Sequence, residues 1–270
     1  MPIQLGCNFS LPLLDLLGRS AVDVDWIKLS RPDTVDEDLR LARPLRPVLL
    51  HTLGKSGRRP AEWEEYPWTV LARQLAAAGS PHVALHQELR PEDWDEPVDL
   101  RQQGREQALA MLERLVAGVQ AVRLHLSIPL LVENIPYHGC FGAVRLAAMP
   151  EAFWQVVEAT GAGLLLDSSH LRCTAYNLGV RVRAYARALP LAHVREIHVS
   201  GPRLIDGILT DCHHALTAED YELLEWLLGE TRPEIVTLEY GGTGELFETP
   251  ERNDPLDLEA QLSRLRAMIG

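Results

Sequence analysis

Nine residues of the chain combine metal-ligand chemistry with regular placement: His51, His86, Glu133, Asp167, His170, His198, Asp211, His213 and Glu239. Six of them end short apolar runs, as Leu50-His51, Leu85-His86, Val132-Glu133-Asn134, Leu166-Asp167, Ile197-His198 and Leu238-Glu239. Two compact motifs, Asp167-Ser-Ser-His170 and Asp211-Cys-His213, supply the remaining three. A single His or acid at a strand end is ordinarily a hydrogen-bonded anchor. Ser168 and Ser169 fit a turn or a helix cap. His214 reads as lying outside the site, and His82, His125 and His193 read as surface or strand-start residues. The recurrence is what argues for chemistry. Five of the ten histidines and four carboxylates would meet in one place, where unpaired anions repel and neutral imidazoles need partners. A multivalent cation answers both needs. Mixed imidazole and carboxylate without thiolate suits iron, manganese or zinc better than magnesium or calcium. Glu133, central in the series, is the candidate bridging carboxylate, and Glu133, Asp167 and Glu239 are the candidate catalytic acids.

Such residues need strands that end together. Strand-type runs fall at Gln4–Asn8, Trp26–Leu29, Val48–His51, His82–His86, Pro129–Glu133, Gly163–Asp167, Glu196–Val199 and Ile235–Tyr240. Helical periodicity fills the intervals, as in Glu62–Ala78, Arg105–Leu124, Pro150–Ala159 and Thr217–Leu228. Thr217-Ala-Glu-Asp220 has a capping-box pattern, and Gly161 and Gly163 follow a helix ending near Thr160. Pro129-Leu-Leu-Val and Gly163-Leu-Leu-Leu are apolar on both faces, as buried parallel strands are. Eight such units favour a closed α/β barrel, a (β/α)8 TIM barrel, over an open sheet. The dinucleotide-binding glycine fingerprint is missing after the first strand. No linker composition divides the chain, so a single domain over residues 1–270 is expected, with the metal ligands at the C-terminal strand ends where the βα loops converge.

Composition narrows the partners. The formal net charge of −12 opposes a polyanion, and the only basic concentration near the site is Lys55, Arg58 and Arg59. No nucleic acid partner is expected. The chain has no apolar stretch long enough to span a bilayer, and Met1-Pro-Ile-Gln-Leu does not read as a secretory signal. Four scattered cysteines form neither a metal motif nor a disulfide framework. A reduced, cytoplasmic protein without a membrane partner is the expectation.

The metal motifs across Val48–Gly241 resemble those of the xylose isomerase-like barrels that include endonuclease IV. By that resemblance one ion takes His51, His86 and Glu133. A second takes Glu133, Asp167, His198 and Glu239, and a third takes His170, Asp211 and His213. Within that superfamily, the stretches Leu164-Leu-Leu-Asp-Ser-Ser-His-Leu and Asn177-Leu-Gly-Val look like the multinuclear non-heme iron-dependent oxidative enzymes, a family formerly catalogued as a domain of unknown function. Ala188-Leu-Pro-Leu-Ala-His-Val-Arg-Glu-Ile-His-Val-Ser-Gly201 and Asp211-Cys-His213 continue the likeness in order.

The resemblance implies two or three metal ions, iron first with manganese or zinc as alternatives. It implies O2-dependent modification of a side chain, such as cysteine, in a small ribosomally made peptide. A partner protein that recognises the peptide leader is also implied. Asn134, Tyr137 and His138 are the candidate substrate contacts. Where the family usually has Asp-x-Asn-Asn this chain has Asp167-Ser-Ser-His170, and the added imidazole strengthens the third metal position. Ala215-Leu216 replaces the usual Pro-Val, and Thr52-Leu-Gly-Lys-Ser-Gly replaces a glycine-rich loop. Two other activities suit the same ligands. One is a sugar isomerase or epimerase acting on a small molecule, with Glu133 and Glu239 moving a proton. The other is a phosphodiesterase or endonuclease using three zinc ions, which the acidic charge disfavours. A degenerate barrel serving as a binding subunit is the non-enzymatic alternative.

Overall fold

The computed structural model of the chain describes residues 2–243 and 249–270. Its ten strands are β1 (Gln4–Asn8), β2 (Trp26–Leu29), β3 (Val48–Leu50), β4 (Val83–His86), β5 (Leu130–Glu133), β6 (Gly163–Asp167), β7 (Val194–Val199), β8 (Gly201–Ile205), β9 (Ile208–His214) and β10 (Ile235–Leu238). Eight of these close into a barrel in the order β1-β10-β7-β6-β5-β4-β3-β2, every pair parallel. Helices lie between the barrel strands, so the expected (β/α)8 architecture is observed.

Alternation along each strand divides the work. Leu5, Ile27, Leu50, Leu85, Val132 and Leu166 belong to the main apolar core, which the helical ring covers. Their neighbours of opposite parity face the axis. Ala84, Leu131 and Leu165 form a small apolar cluster of their own, separate from that core. One step further along the same three strands stand His86, Glu133 and Asp167. The barrel interior is therefore apolar at mid-height and ionisable at the C-terminal end.

Local chemistry sets the helix boundaries. Ser10 caps the helix Leu11–Gly18 by accepting from the Leu13 amide. Gly161 and Gly179 end Pro150–Thr160 and Ser168–Leu178 in the left-handed conformation, which a residue without Cβ adopts at little cost. The capping box at Thr217 starts Ala218–Glu230 as the sequence predicts.

The structure departs from or refines the sequence reading at four points. The helical stretch expected over Glu62–Ala78 is two helices, Pro60–Glu64 and Trp68–Ala78, because Pro67 interrupts the backbone ladder. Of the turn and the helix cap that Ser168 and Ser169 fit, the structure has a helix start. Asp167 is the N-cap of Ser168–Leu178, accepting from the His170 amide at 2.6 Å, so His170 rides the first helical turn. Asp211 and His213 lie in a hairpin of β8 and β9 that the eight expected strands do not include, turned at Asp206-Gly207, both with positive φ. His82 is neither surface nor a bare strand start: it is buried and bonded to Glu196.

Candidate metal centre

Glu133 occupies the middle of the mouth with both oxygens surrounded by imidazoles. Its Oε2 is bonded to His51 Nε2 and lies 3.3 Å from His86 Nε2. Its Oε1 lies 3.5 Å from His198 Nδ1 and 3.6 Å from His170 Nδ1. One carboxylate thus faces four histidines from four other segments, two on each oxygen. Burial alone would raise its carboxyl, but the imidazoles of His86 and His51 hold it well below the usual carboxylate range. Burial pushes His51 down to about 4, against the pull of Glu133.

Among the described residues three triads bring ligand atoms within 4.8 Å of one another: His51, His86 and Glu133; Glu133, Asp167 and His170; and Asp167, His198 and Glu239. The third contains two buried atoms without a hydrogen-bond partner, Asp167 Oδ2 and His198 Nδ1. A buried carboxylate oxygen left unpaired beside an unpaired ring nitrogen is costly. A cation between them would satisfy both, so the donor set fits a bound metal. Burial raises the Asp167 carboxyl, as expected for an anion lacking such a counter-charge.

His170, Asp211 and His213 meet differently. Asp211 Oδ1 accepts from Ser169 Oγ and Ser200 Oγ, each at 2.8 Å. Its Oδ2 is thereby left toward His170 Nε2 at 3.4 Å and His213 Nε2 at 2.9 Å. Both rings are fixed through their other nitrogen. His170 Nδ1 donates to the Asn134 carbonyl at 2.6 Å, and His213 Nδ1 donates to the Glu239 carbonyl at 3.0 Å. Each ring therefore aims Nε2 at one carboxylate oxygen, although these three do not form one of the mutually close triads. His213 holds this pose with φ of 52°, a strained value for a residue with Cβ. Burial opposes charge on His170, but Asp167, Asp211 and Glu133 prevail and raise it to about 10.

The three candidate substrate contacts separate. Asn134 is locked to its neighbour strand: its Nδ2 donates to the Asp167 carbonyl and its Oδ1 accepts from the Asp167 amide. That amide is engaged in placing Asp167. Tyr137 is buried, its backbone held by Thr174 and Asn177. His138 stacks on Phe141 with centroids 4.3 Å apart, and neither ring nitrogen has a partner.

The ligand pattern alone did not disclose Lys28, Glu196 and Ser200. Lys28, buried in β2, is ion-paired with Glu239, and Glu196 is buried in β7 beside His198. Strand parity was the available signal, since Lys28 and Glu196 alternate with apolar neighbours inside buried strands.

A family model described as RiPP precursor modification enzyme MbnB/TglH/ChrH matches residues 102–247, more than half of the chain. A UPF0276 protein of Bordetella pertussis is 35% identical over 139 residues, 49% of this chain and 48% of the relative. The chain thus matches about half the length of that relative. Among solved structures, a xylose isomerase domain protein from Alicyclobacillus acidocaldarius superposes with a TM-score of 0.63 at 16% identity, covering 99% of this chain and 98% of the other. D-psicose 3-epimerase from Clostridium cellulolyticum H10 gives 0.60 at 11% identity, covering 99% of both chains. These two likenesses establish the xylose isomerase-like barrel fold. Among the described residues no helix is long and apolar enough to cross a membrane.

Proposed function

The chain belongs to the MbnB/TglH/ChrH family of RiPP precursor modification enzymes, and we propose that within it this protein is a multinuclear non-heme iron-dependent oxidase. Its substrate would be a small ribosomally made peptide, of which it oxidises a side chain such as that of cysteine. The observation that carries the reading is the placement of Glu133, with two imidazoles on each oxygen. A carboxylate so surrounded suits a bridge between two cations, and such a bridge is the common device of multinuclear sites.

In this reading His51, His86 and Glu133 hold one ion, and Glu133, Asp167, His198 and Glu239 hold a second. His170, Asp211 and His213 offer a third position, supported by the two Nε2 atoms aimed at Asp211 Oδ2. Iron bound there would supply the redox chemistry with O2. The chain's own residues do the rest. Asn134 fixes Asp167 through two hydrogen bonds, Ser169 and Ser200 fix Asp211, and His86, with about a third of its side chain exposed, is the ligand most open to an arriving peptide. Tyr137 and His138, which follow Glu133 in the chain, are the candidate peptide contacts of this reading. A leader-recognising partner protein would deliver the peptide.

The test is metal analysis after anaerobic purification, followed by exposure to O2 with a candidate precursor peptide. Iron at two to three ions per chain and an O2-dependent mass change in the peptide are expected. Manganese with epimerisation of a sugar would replace the oxidase by the isomerase reading. Zinc with phosphodiester cleavage would replace it by the hydrolase, and no bound metal under any condition would favour a binding subunit.

A further inference from the structure

Beneath the ligand layer lies a second buried polar group that the metal reading leaves unused. Glu196 stands two residues before His198 in β7, on the same face of the strand and one step deeper in the barrel. It is buried, and three donors converge on it. Thr237 Oγ1 donates to Oε1 at 2.5 Å, His198 Nε2 donates to Oε1 at 3.1 Å, and His82 Nε2 donates to Oε2 at 2.6 Å.

An ionised carboxylate only accepts hydrogen bonds, so the proton shared with His198 resides on Nε2. In the neutral ring the other nitrogen, Nδ1, then carries the lone pair. That atom faces the ligand cluster, 3.3 Å from Glu239 Oε1 and 3.5 Å from Glu133 Oε1, and it is a buried ring nitrogen without a hydrogen-bond partner.

The support for Glu196 is itself built into the barrel wall. Thr237 lies beside His198 in the register of β10 with β7. Its hydroxyl fills the space beside Gly6, where an added Cβ would come within 2.5 Å of Oγ1. A larger residue at position 6 would displace the hydroxyl that holds the carboxylate. On the far side, His82 enters from the segment before β4 and takes the second oxygen.

We propose that Glu196 is a positioning residue, held by Thr237 and His82, that fixes His198 in the Nε2-protonated tautomer and so presents Nδ1 as its metal-binding atom. The proposal rests on the reading of the mouth as a metal centre. A carboxylate behind a ligand histidine fixes the ring's orientation and raises its basicity, and its loss typically costs about 10–100-fold in metal affinity.

The test has two readouts on the full chain. In metal-free protein labelled with 15N histidine, long-range proton–nitrogen correlation should show His198 protonated at Nε2 in the wild type. In Glu196→Ala that preference should be lost, and the Mn2+ dissociation constant should rise about 10–100-fold, with the far-UV spectrum unchanged. Thr237→Val, which keeps the carboxylate, should shift both readouts in the same direction by less. It also serves as the deciding variant if Glu196→Ala does not fold. Wild-type tautomer and Mn2+ affinity in a folded Glu196→Ala, or in Thr237→Val should it have to decide, would overturn the proposal. If the wild type binds no Mn2+ at all, the metal reading fails, while the tautomer comparison still decides the role of Glu196.

Discussion

Lys28 of β2 is ion-paired with Glu239, and both side chains are buried. The ammonium therefore sits on a carboxylate assigned to the proposed second metal position. Burial lowers the Lys28 pKa, while the surrounding carboxylates, Glu133 first among them, work to keep it charged. A metal ion bound there would compete with Lys28 for Oε1 of Glu239. Lys28→Met should destabilise the metal-free protein by about 3–5 kcal/mol, because a buried carboxylate loses its ammonium partner. It should also tighten Mn2+ binding, so the stability deficit shrinks as the ion is added. Urea unfolding with chelator and with saturating Mn2+ checks both halves. Weaker Mn2+ binding in the variant would show that Lys28 assists the metal rather than competing with it.

Glu133→Gln should lower bound metal by more than one ion per chain. Each of its oxygens faces two imidazoles, and a neutral amide cannot offset repulsion between two cations. Elemental analysis of anaerobically purified protein gives the count. Loss of one ion or fewer would make Glu133 a terminal ligand.

The barrel was legible because its signals are local. Runs such as Gly163-Leu-Leu-Leu-Asp167 state both the buried strand and the polar residue that ends it, and the observed strand has those bounds. What escaped was decided by partners distant in sequence. His82 looks like a surface residue until Glu196, 114 positions away, closes on it. Lys28 is unremarkable in Trp-Ile-Lys-Leu until Glu239 arrives from the last strand. The β8–β9 hairpin is a different case. Its Asp206-Gly207 turn is a recognisable hairpin signal, but the strands flanking it are short of the apolar alternation that marks the others. The helix break at Pro67 was also written in the sequence.

The metal-free protein should be most stable near pH 6.5. His170 has its folded pKa raised to about 10, above its ordinary 6.5. The stability it contributes is complete below pH 6.5 and is lost as pH rises toward 10. His51 is shifted the other way, to about 4, so its neutral folded form loses stability as pH falls from 6.5 toward 4. Each full proton of difference between states changes stability by about 1.4 kcal/mol per pH unit. Urea unfolding in chelator between about pH 4 and pH 10 should show a maximum, and His170→Asn should flatten its alkaline side. An alkaline side unchanged in that variant would remove His170 as its source.

The same substitution, made in metal-loaded protein, tests how many ions the mouth holds. His170→Asn keeps the backbone amide that donates to Asp167 Oδ1, so the cap of Ser168–Leu178 survives. It removes the Nε2 atom that faces Asp211 Oδ2 at 3.4 Å. Asp211 remains fixed by Ser169 and Ser200, and His213 Nε2 remains at 2.9 Å from Oδ2. In the proposed ligand sets only the third position loses a ligand, although His170 also forms a close triad with Glu133 and Asp167. One ion per chain should therefore be lost, or bound much more weakly, while those held by Glu133 stay. His213→Ala, which strips the same position from the opposite side, should give the same count. If both variants keep the full complement of the wild type, the Asp211 group is a hydrogen-bonded support for the mouth, and the centre is dinuclear.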